Sequence, residues 1–198
     1  MKKVVELFWD VASPYTYLAH TQMAGLEART GAEVQYRPFL LGGVFKSTDN
    51  LMPGANPYKA AYLVKDLARW RDHYQVPMKM PALEVIFPLS SLLPMRLATA
   101  ADLAGQGRTL ATAFFQAYWV QGRNVGEESE ARGVVEEAGL DAAALFAAAQ
   151  TGPVKDRLRA NTEEAVSRGA FGAPAIFVGD QLYFGNDRLM FVEAALRG

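Results

Sequence analysis

Cysteine is absent from the 198 residues. That excludes a disulfide framework, a cysteine zinc site, an iron–sulfur cluster and a protein-borne thiol nucleophile. Histidine is nearly absent, with two, His20 and His73, far apart in the chain. A multi-histidine metal site cannot be built from these, and a Ser-His-Asp triad has few ways to form. No apolar run reaches the roughly 18 residues of a transmembrane helix. The run behind the two N-terminal lysines is interrupted by Glu6 and Asp10, which reads as a strand and not as a signal peptide. An excess of charge of one sign is missing too. Lys plus Arg is 20 and Asp plus Glu is 21, a net charge of −1. That balance carries no electrostatic footprint for nucleic acid or an anionic membrane. The default is a soluble cytoplasmic protein.

What is present is ordinary for a globular chain, with 51% hydrophobic and 21% charged residues. Whole-chain disorder is excluded on that composition. A chain of this size buries about 70% of its unfolded surface, so one domain, or one domain with a large insertion, stands without staples.

Residues 3–9 (KVVELFW) are β-branched and aromatic and read as a buried strand. Ser13-Pro14 places an N-cap residue before a proline at the first helical position. The helix runs to about Arg29 and is closed by Gly31. Residues 33–41 read as a second strand, reached by a right-handed crossover. Residues 42–56, rich in Gly, Asn, Asp and Pro, read as a long loop. From residue 57 to about 170 every segment reads helical. Leu63, Leu67, Trp70 and Tyr74 share one helix face, and Leu110, Phe114, Ala117 and Gln121 another. Residues 129–149 read as two short helices broken at Gly139-Leu140-Asp141, and a further helix follows Pro153. The tail returns to the opening style. Residues 174–178 read as a strand, Gly179-Asp180 as a tight turn, 181–184 as the partner strand, and 185–187 as the start of a last helix. This is an α/β pattern whose two ends form one unit around an all-helical insertion. The domain reading is 1–42 with 160–198, and 43–159 as the insertion.

Four places can carry chemistry. Ser13 puts a hydroxyl at a helix N-terminus, among unpaired N–H groups and the positive end of the dipole, where an anion such as a thiolate is stabilised. It is equally a plain cap, with Tyr15 and Tyr17 in the core. Pro174 opens a strand. A cis bond there would turn the preceding backbone groups outward to a ligand, and a strand also tolerates proline as its first residue. Gly185-Asn186-Asp187 offers N–H groups and a carboxylate to the two charged ends of a peptide-like ligand, or is a loop and cap. Asn50 and Lys59 flank the Pro/Gly loop, and Lys59 can neutralise a carboxylate. Asp66 and Arg69 read as an i,i+3 surface pair. His20 and His73 read as partly exposed helix residues with no assigned role.

In order and spacing, D-x-x-S-P-Y-x-Y-L (10–18), G-x-F-G-x-P (169–174) and F-G-x-D-R (184–188) resemble the kappa-class glutathione transferase family. Its bacterial branch is 2-hydroxychromene-2-carboxylate isomerase. The resemblance spans essentially the whole chain and implies a DsbA-type thioredoxin-like domain with a large helical insertion. It implies Ser13 as the catalytic serine, where redox relatives carry the first cysteine of C-x-x-C. It implies glutathione, or another low-molecular-weight thiol, held by Ala173 and Pro174, Asn186 and Asp187, and Asn50. The substrate side falls to Lys59 and Tyr15, with no metal. The resemblance implies a small aromatic carboxylate as substrate and a homodimer as the assembly. Two positions depart from the family pattern: Asn186 stands where Ser is frequent, and Pro88-Leu-Ser-Ser where many members have Asn.

A thioredoxin-type fold without cysteine cannot exchange a disulfide by itself, so a reactive sulfur has to arrive with a bound thiol. The implied reaction is reversible thiolate addition that isomerises a hydroxychromene carboxylate to trans-o-hydroxybenzylidenepyruvate. Kappa-type glutathione conjugation or peroxide reduction by the same thiolate stands as an alternative. A cysteine-free thioredoxin-like binding module without catalysis is the rival from another class.

Overall fold

The computed structural model describes residues 3–79 and 89–197. The chain begins with β1 (Val4–Trp9), α1 (Pro14–Thr30) and β2 (Glu33–Pro38). It continues through α2 (Leu41–Thr48), a 3-10 turn (Pro53–Ala55) and α3 (Pro57–Tyr74). Next come α4 (Leu92–Leu103), α5 (Gly107–Phe115) with a π-helical extension (Gln116–Gln121), α6 (Glu128–Glu137), α7 (Ala142–Ala149) and α8 (Gly152–Ser167). It closes with β3 (Ala175–Val178), β4 (Gln181–Phe184), a 3-10 turn (Asn186–Arg188) and α9 (Leu189–Arg197). The four strands form one mixed sheet in the order β2-β1-β3-β4. β1 runs parallel to β2 and antiparallel to β3, and β3 and β4 form a hairpin closed at Val178 and Gln181. Among the described residues the stretch between β2 and β3 holds helices and loops only. The expected α/β fold with an all-helical insertion is therefore observed.

The sheet is covered on both faces, which explains the near-continuous apolar run of β1. Val5, Leu7 and Trp9 point to the larger core, shared with α1, α4 and α5. Phe8 points the other way, against Phe39, Val44 and Ala165 beneath α2 and α8. Phe8, Trp9, Phe114 and Trp119 are among the largest fully buried side chains, each worth on the order of 2–3 kcal/mol of transfer free energy. Glu6, the charge that interrupts β1, shares the face of Phe8. Its carboxylate is held by Arg37 at 2.5 Å and Arg168 at 2.8 Å. The Arg168 guanidinium lies 3.9 Å from the Phe177 ring centroid.

Three expectations need correction. Residues 42–56 are not one long loop, because α2 occupies Leu41–Thr48. One of its glycines serves packing: a Cβ on Gly43 would come within 3.1 Å of Thr162 on α8, whereas one on Gly42 would meet open space, so Gly43 is what lets the two helices approach. The second strand ends at Pro38 and not at 41, where the Phe39 N–H still reaches the Trp9 carbonyl. The helix through Leu110 and Phe114 changes to π-helical winding at Gln116. The continuous helical reading over 57–170 includes residues 80–88, which lie outside the described residues, as does Pro88 of the Pro-Leu-Ser-Ser departure. The caps behave as expected. The Ser13 side chain accepts from the Thr16 N–H, and Gly31 closes α1 at φ 69°.

His20 is half-buried and meets the Tyr36 hydroxyl at 2.8 Å through Nδ1, while its ring packs on Phe115. Burial first, and then the Arg108 charge, push its pKa down to about 4. Because that lies below the ordinary histidine value, the unfolded chain takes up a proton between pH 6.5 and 4 that the folded chain refuses. The contribution is complete above pH 6.5 and is lost as pH falls toward 4, on the order of 3 kcal/mol in all. Urea midpoints measured across that window should fall steeply with acidity in the native protein and more shallowly in His20→Gln.

Candidate active site

A cavity of about 1200 Å³ opens where the C-terminal end of β1 meets α3 and the loop before β3. Its floor is the turn from Asp10 to Ser13. Ser13 is 3% exposed and caps α1. Its hydroxyl donates to the Ala173 carbonyl at 3.0 Å and accepts from the Thr16 N–H at 3.2 Å. Pro14 brings no N–H and Thr16 gives its own to Ser13, so the Tyr15 N–H stands at the positive end of α1. The Ala173-Pro174 bond is cis. Ala173 lines the cavity, while Pro174 lies buried behind it and accepts from the Gly185 N–H at 3.2 Å.

The expected ligand residues converge on this opening. Ser13, Ala173, Asn186, Asp187 and Asn50 line the cavity, joined by Lys59 and Tyr15. Each is fixed by a visible contact or by its place in an element. The Asn50 amide donates to the Phe171 carbonyl at 2.8 Å and ties the end of α2 to the loop ahead of Ala173. Asn186 is 2% exposed, and its carbonyl accepts from the Tyr74 hydroxyl at 3.0 Å. Asp187 pairs with Arg188. Lys59 is exposed in the first turn of α3, beside a smaller pocket of about 370 Å³ lined by Pro53, Tyr58 and Tyr62.

Asp66 is not the surface partner of Arg69. Its carboxylate accepts from the Tyr15 hydroxyl at 2.8 Å and from the Tyr62 hydroxyl at 3.2 Å. The Arg69 guanidinium instead lies 6.0 Å from the Tyr62 ring centroid. Burial, then the bond to Asp66, pushes the Tyr15 phenol up, so Tyr15 keeps its proton at neutral pH and donates a hydrogen bond to Asp66. Sequence reasoning missed Asp66 because its partner comes from another helix. Spacing placed Tyr74 on one helix face with Leu63, Leu67 and Trp70, and gave no sign that its phenol reaches the Asn186 carbonyl at the site.

The charged side chains lining the cavity among the described residues are Lys59, Asp66 and Asp187. The rest of the lining is largely apolar and includes Leu63, Leu67, Trp70, Leu89 and Trp119. Such a chamber takes a ligand with one carboxylate near Lys59, an ammonium near Asp187 and rings against the apolar side. It also takes an anionic atom at the helix terminus beside Ser13. The cradle is shaped by missing side chains: a Cβ on Gly172 would meet the Phe184 ring at 2.8 Å.

A model of the DSBA-like thioredoxin domain family matches residues 4–197. A 2-hydroxychromene-2-carboxylate isomerase of Sphingobium xenophagum is 34% identical over 202 residues, across 99% of this chain and 99% of its own. Human glutathione S-transferase kappa 1 is 32% identical, across 96% of this chain and 88% of its own. A solved structure of a 2-hydroxychromene-2-carboxylate isomerase aligns with a TM-score of 0.86 at 28% identity, over 98% of this chain and 94% of that one. The chain belongs to the DSBA-like thioredoxin domain family, on the side of its isomerase and kappa glutathione transferase relatives. It is an enzyme.

Gly185 has φ 99°, and a Cβ there would stand 2.5 Å from Asp187 Oδ1. Gly185→Ala should cost about 1–3 kcal/mol through backbone strain and displace the Asp187 carboxylate. Gly179→Ala is the control, strained at φ 57° with open space around it. Denaturant melts should show both variants weakened, whereas ligand titration into the cavity should show a loss in Gly185→Ala alone.

Proposed function

We propose that this chain is a glutathione-dependent isomerase that interconverts a 2-hydroxychromene-2-carboxylate and trans-o-hydroxybenzylidenepyruvate. The observation that carries the reading is the Ser13 hydroxyl, set between the N-terminus of α1 and the Ala173 carbonyl at an open cavity, in a chain with no cysteine. When bound, glutathione supplies the nucleophilic sulfur that adds reversibly to an electrophilic ring carbon and is returned unchanged.

The residues divide the work. Ser13 has one hydroxyl proton and now spends it on Ala173. On turning to a ligand sulfur it leaves the Ala173 carbonyl open to an amide N–H of the ligand, so one group is released as the other is engaged. The positive end of α1 and the Tyr15 N–H favour the deprotonated form of whatever Ser13 donates to. Asp187 meets the ammonium, with Asn186 held in place by Tyr74. Asn50 steadies the loop that presents Ala173. Lys59, the cation of the cavity, neutralises the substrate carboxylate, and Tyr15 with the apolar wall holds the rings. The reading places the protein in the cytoplasm, where low-molecular-weight thiols are kept reduced, as a homodimer.

Calorimetry should show glutathione binding in the micromolar to low-millimolar range, with an ultraviolet thiolate band that Ser13→Ala removes along with about 10²- to 10³-fold in kcat. Lys59→Met should raise KM for the carboxylate about tenfold and leave glutathione affinity near its native value. The product should have the mass of the substrate, since a thioether adduct would identify a transferase instead. Absence of glutathione binding to the native protein sinks the reading.

A further inference from the structure

Asp10 is fully buried, carries the first letter of the D-x-x-S motif, and has no part in the reaction above. Its carboxylate accepts three hydrogen bonds from three separate segments. The Ala12 N–H reaches Oδ1 at 2.9 Å, while the Leu41 N–H and the Ser91 hydroxyl both reach Oδ2 at 2.9 Å. Ala12, Leu41 and Ser91 all line the cavity. One buried anion thus joins the floor turn, the first residue of α2 and the residue before α4.

The turn itself is held at every peptide. The Asp10 carbonyl accepts from the Ser13 N–H at 3.1 Å. The Val11 carbonyl accepts from the Trp119 indole at 2.8 Å, and the Val11 N–H faces Met95 Sδ at 3.4 Å. Trp119 lies in the π-helical extension of α5, the kind of winding that recurs at functional sites. We infer that Asp10 is the positioning residue of this site: its carboxylate fixes the 10–13 turn, and through it the aim of the Ser13 hydroxyl.

The chemistry of the three donors supports a carboxylate and resists its nearest isostere. A buried carboxylate is costly unless its oxygens are satisfied, and here both are. An asparagine has one carbonyl oxygen, so its NH₂ group would face the N–H of Ala12 or that of Leu41, a donor against a donor. Either loss loosens a wall of the site. Among the described residues, the groups that face Asp10 are neutral: the two N–H groups, the Ser91 hydroxyl and the Tyr118 phenol, which burial first and then the Asp10 charge push up; burial pushes the Asp10 carboxyl up as well, against the pull of its three hydrogen bonds.

The inference rests on the thiol reading, and the sign of one shift tests it. Asp10 acting only as a nearby negative charge disfavours a thiolate, so Asp10→Asn would lower the pKa of bound glutathione. Acting by position, the same variant mis-aims Ser13 and raises that pKa. Ultraviolet titration of the thiolate band in the glutathione complex reads the difference directly. The expected result in Asp10→Asn is a rise of about half a unit or more, with kcat down about tenfold or more and glutathione affinity within about threefold of native. Ser91→Ala should move the band the same way by less, and Ser91→Thr, which keeps the hydroxyl, should restore it. A fall in the pKa, or no change in a variant whose melting and near-ultraviolet circular dichroism are native-like, overturns the assignment. If Asp10→Asn does not fold, the Ser91 pair decides, and an unmoved band in Ser91→Ala overturns it. If the native complex gives no thiolate band, the thiol reading fails first and takes the inference with it.

Discussion

The hydroxyl of Ser13 and the carbonyl of Ala173 are 160 positions apart in the chain and 3.0 Å apart in space, and the rest of the structure is arranged so that they meet. The antiparallel register of β1 on β3 pairs Phe8 with Ala175, which sets the turn after β1 beside the loop before β3. The apolar run of β1, buried on both faces, keeps that register from slipping, because a one-residue shift would move Phe8 into the place of Leu7 or Trp9 on the opposite face, in the other core. The long helical stretch between β2 and β3 does not disturb the pairing. It leaves the sheet at Pro38, returns at Ala175, and roofs the cavity with α3.

α3 is an unusual wall. Among the described residues its fully buried side chain is Leu67, so hydrophobic burial alone fixes it weakly. Two phenols do the rest. Tyr15 on α1 bonds to Asp66 near the middle of α3, and Tyr74 at its end bonds to the Asn186 carbonyl. Both bonds land on residues of the site, so the position of Lys59 at the other end of α3 depends on the same groups that face a thiol. A side chain read for substrate and a loop read for the thiol are thereby parts of one rigid frame. Among the described residues, the charged side chains of the cavity are thus split between α3, which carries Lys59 and Asp66, and the turn before α9, which carries Asp187.

Much of this was legible in the residues. β-branched and aromatic clustering marked the strands, Ser13-Pro14 and Gly31 marked the two ends of α1, and Gly179-Asp180 marked the hairpin. The motif order placed Ser13, Ala173 and Asn186 before any contact was visible. What stayed hidden has a common cause. Local rules see one element at a time, whereas Asp66 is claimed by a tyrosine from another helix and Gly43 by a threonine 119 residues later. The i,i+3 rule that paired Asp66 with Arg69 describes an isolated helix in water. Two phenols donating to one half-buried carboxylate outweigh an exposed ion pair worth only a few tenths of a kcal/mol. The π-helical turn on which Trp119 reaches the Val11 carbonyl has no composition signal.

The absence of cysteine gives the fold its chemical direction. On a thioredoxin-like scaffold the helix N-terminus stabilises a thiolate wherever the sulfur comes from. A chain that supplied its own sulfur would keep it covalently and would need a partner thiol to reset it. A serine at the same point keeps the stabilising geometry and removes the covalent end state, so a sulfur brought in by a ligand can leave again. That exchange demands more of the floor than redox chemistry does. A hydroxyl has a single proton, here donated to the Ala173 carbonyl, and its direction must be set by the turn behind it. The buried carboxylate of Asp10, answered by three donors from three segments, is the part of the molecule built to set that direction.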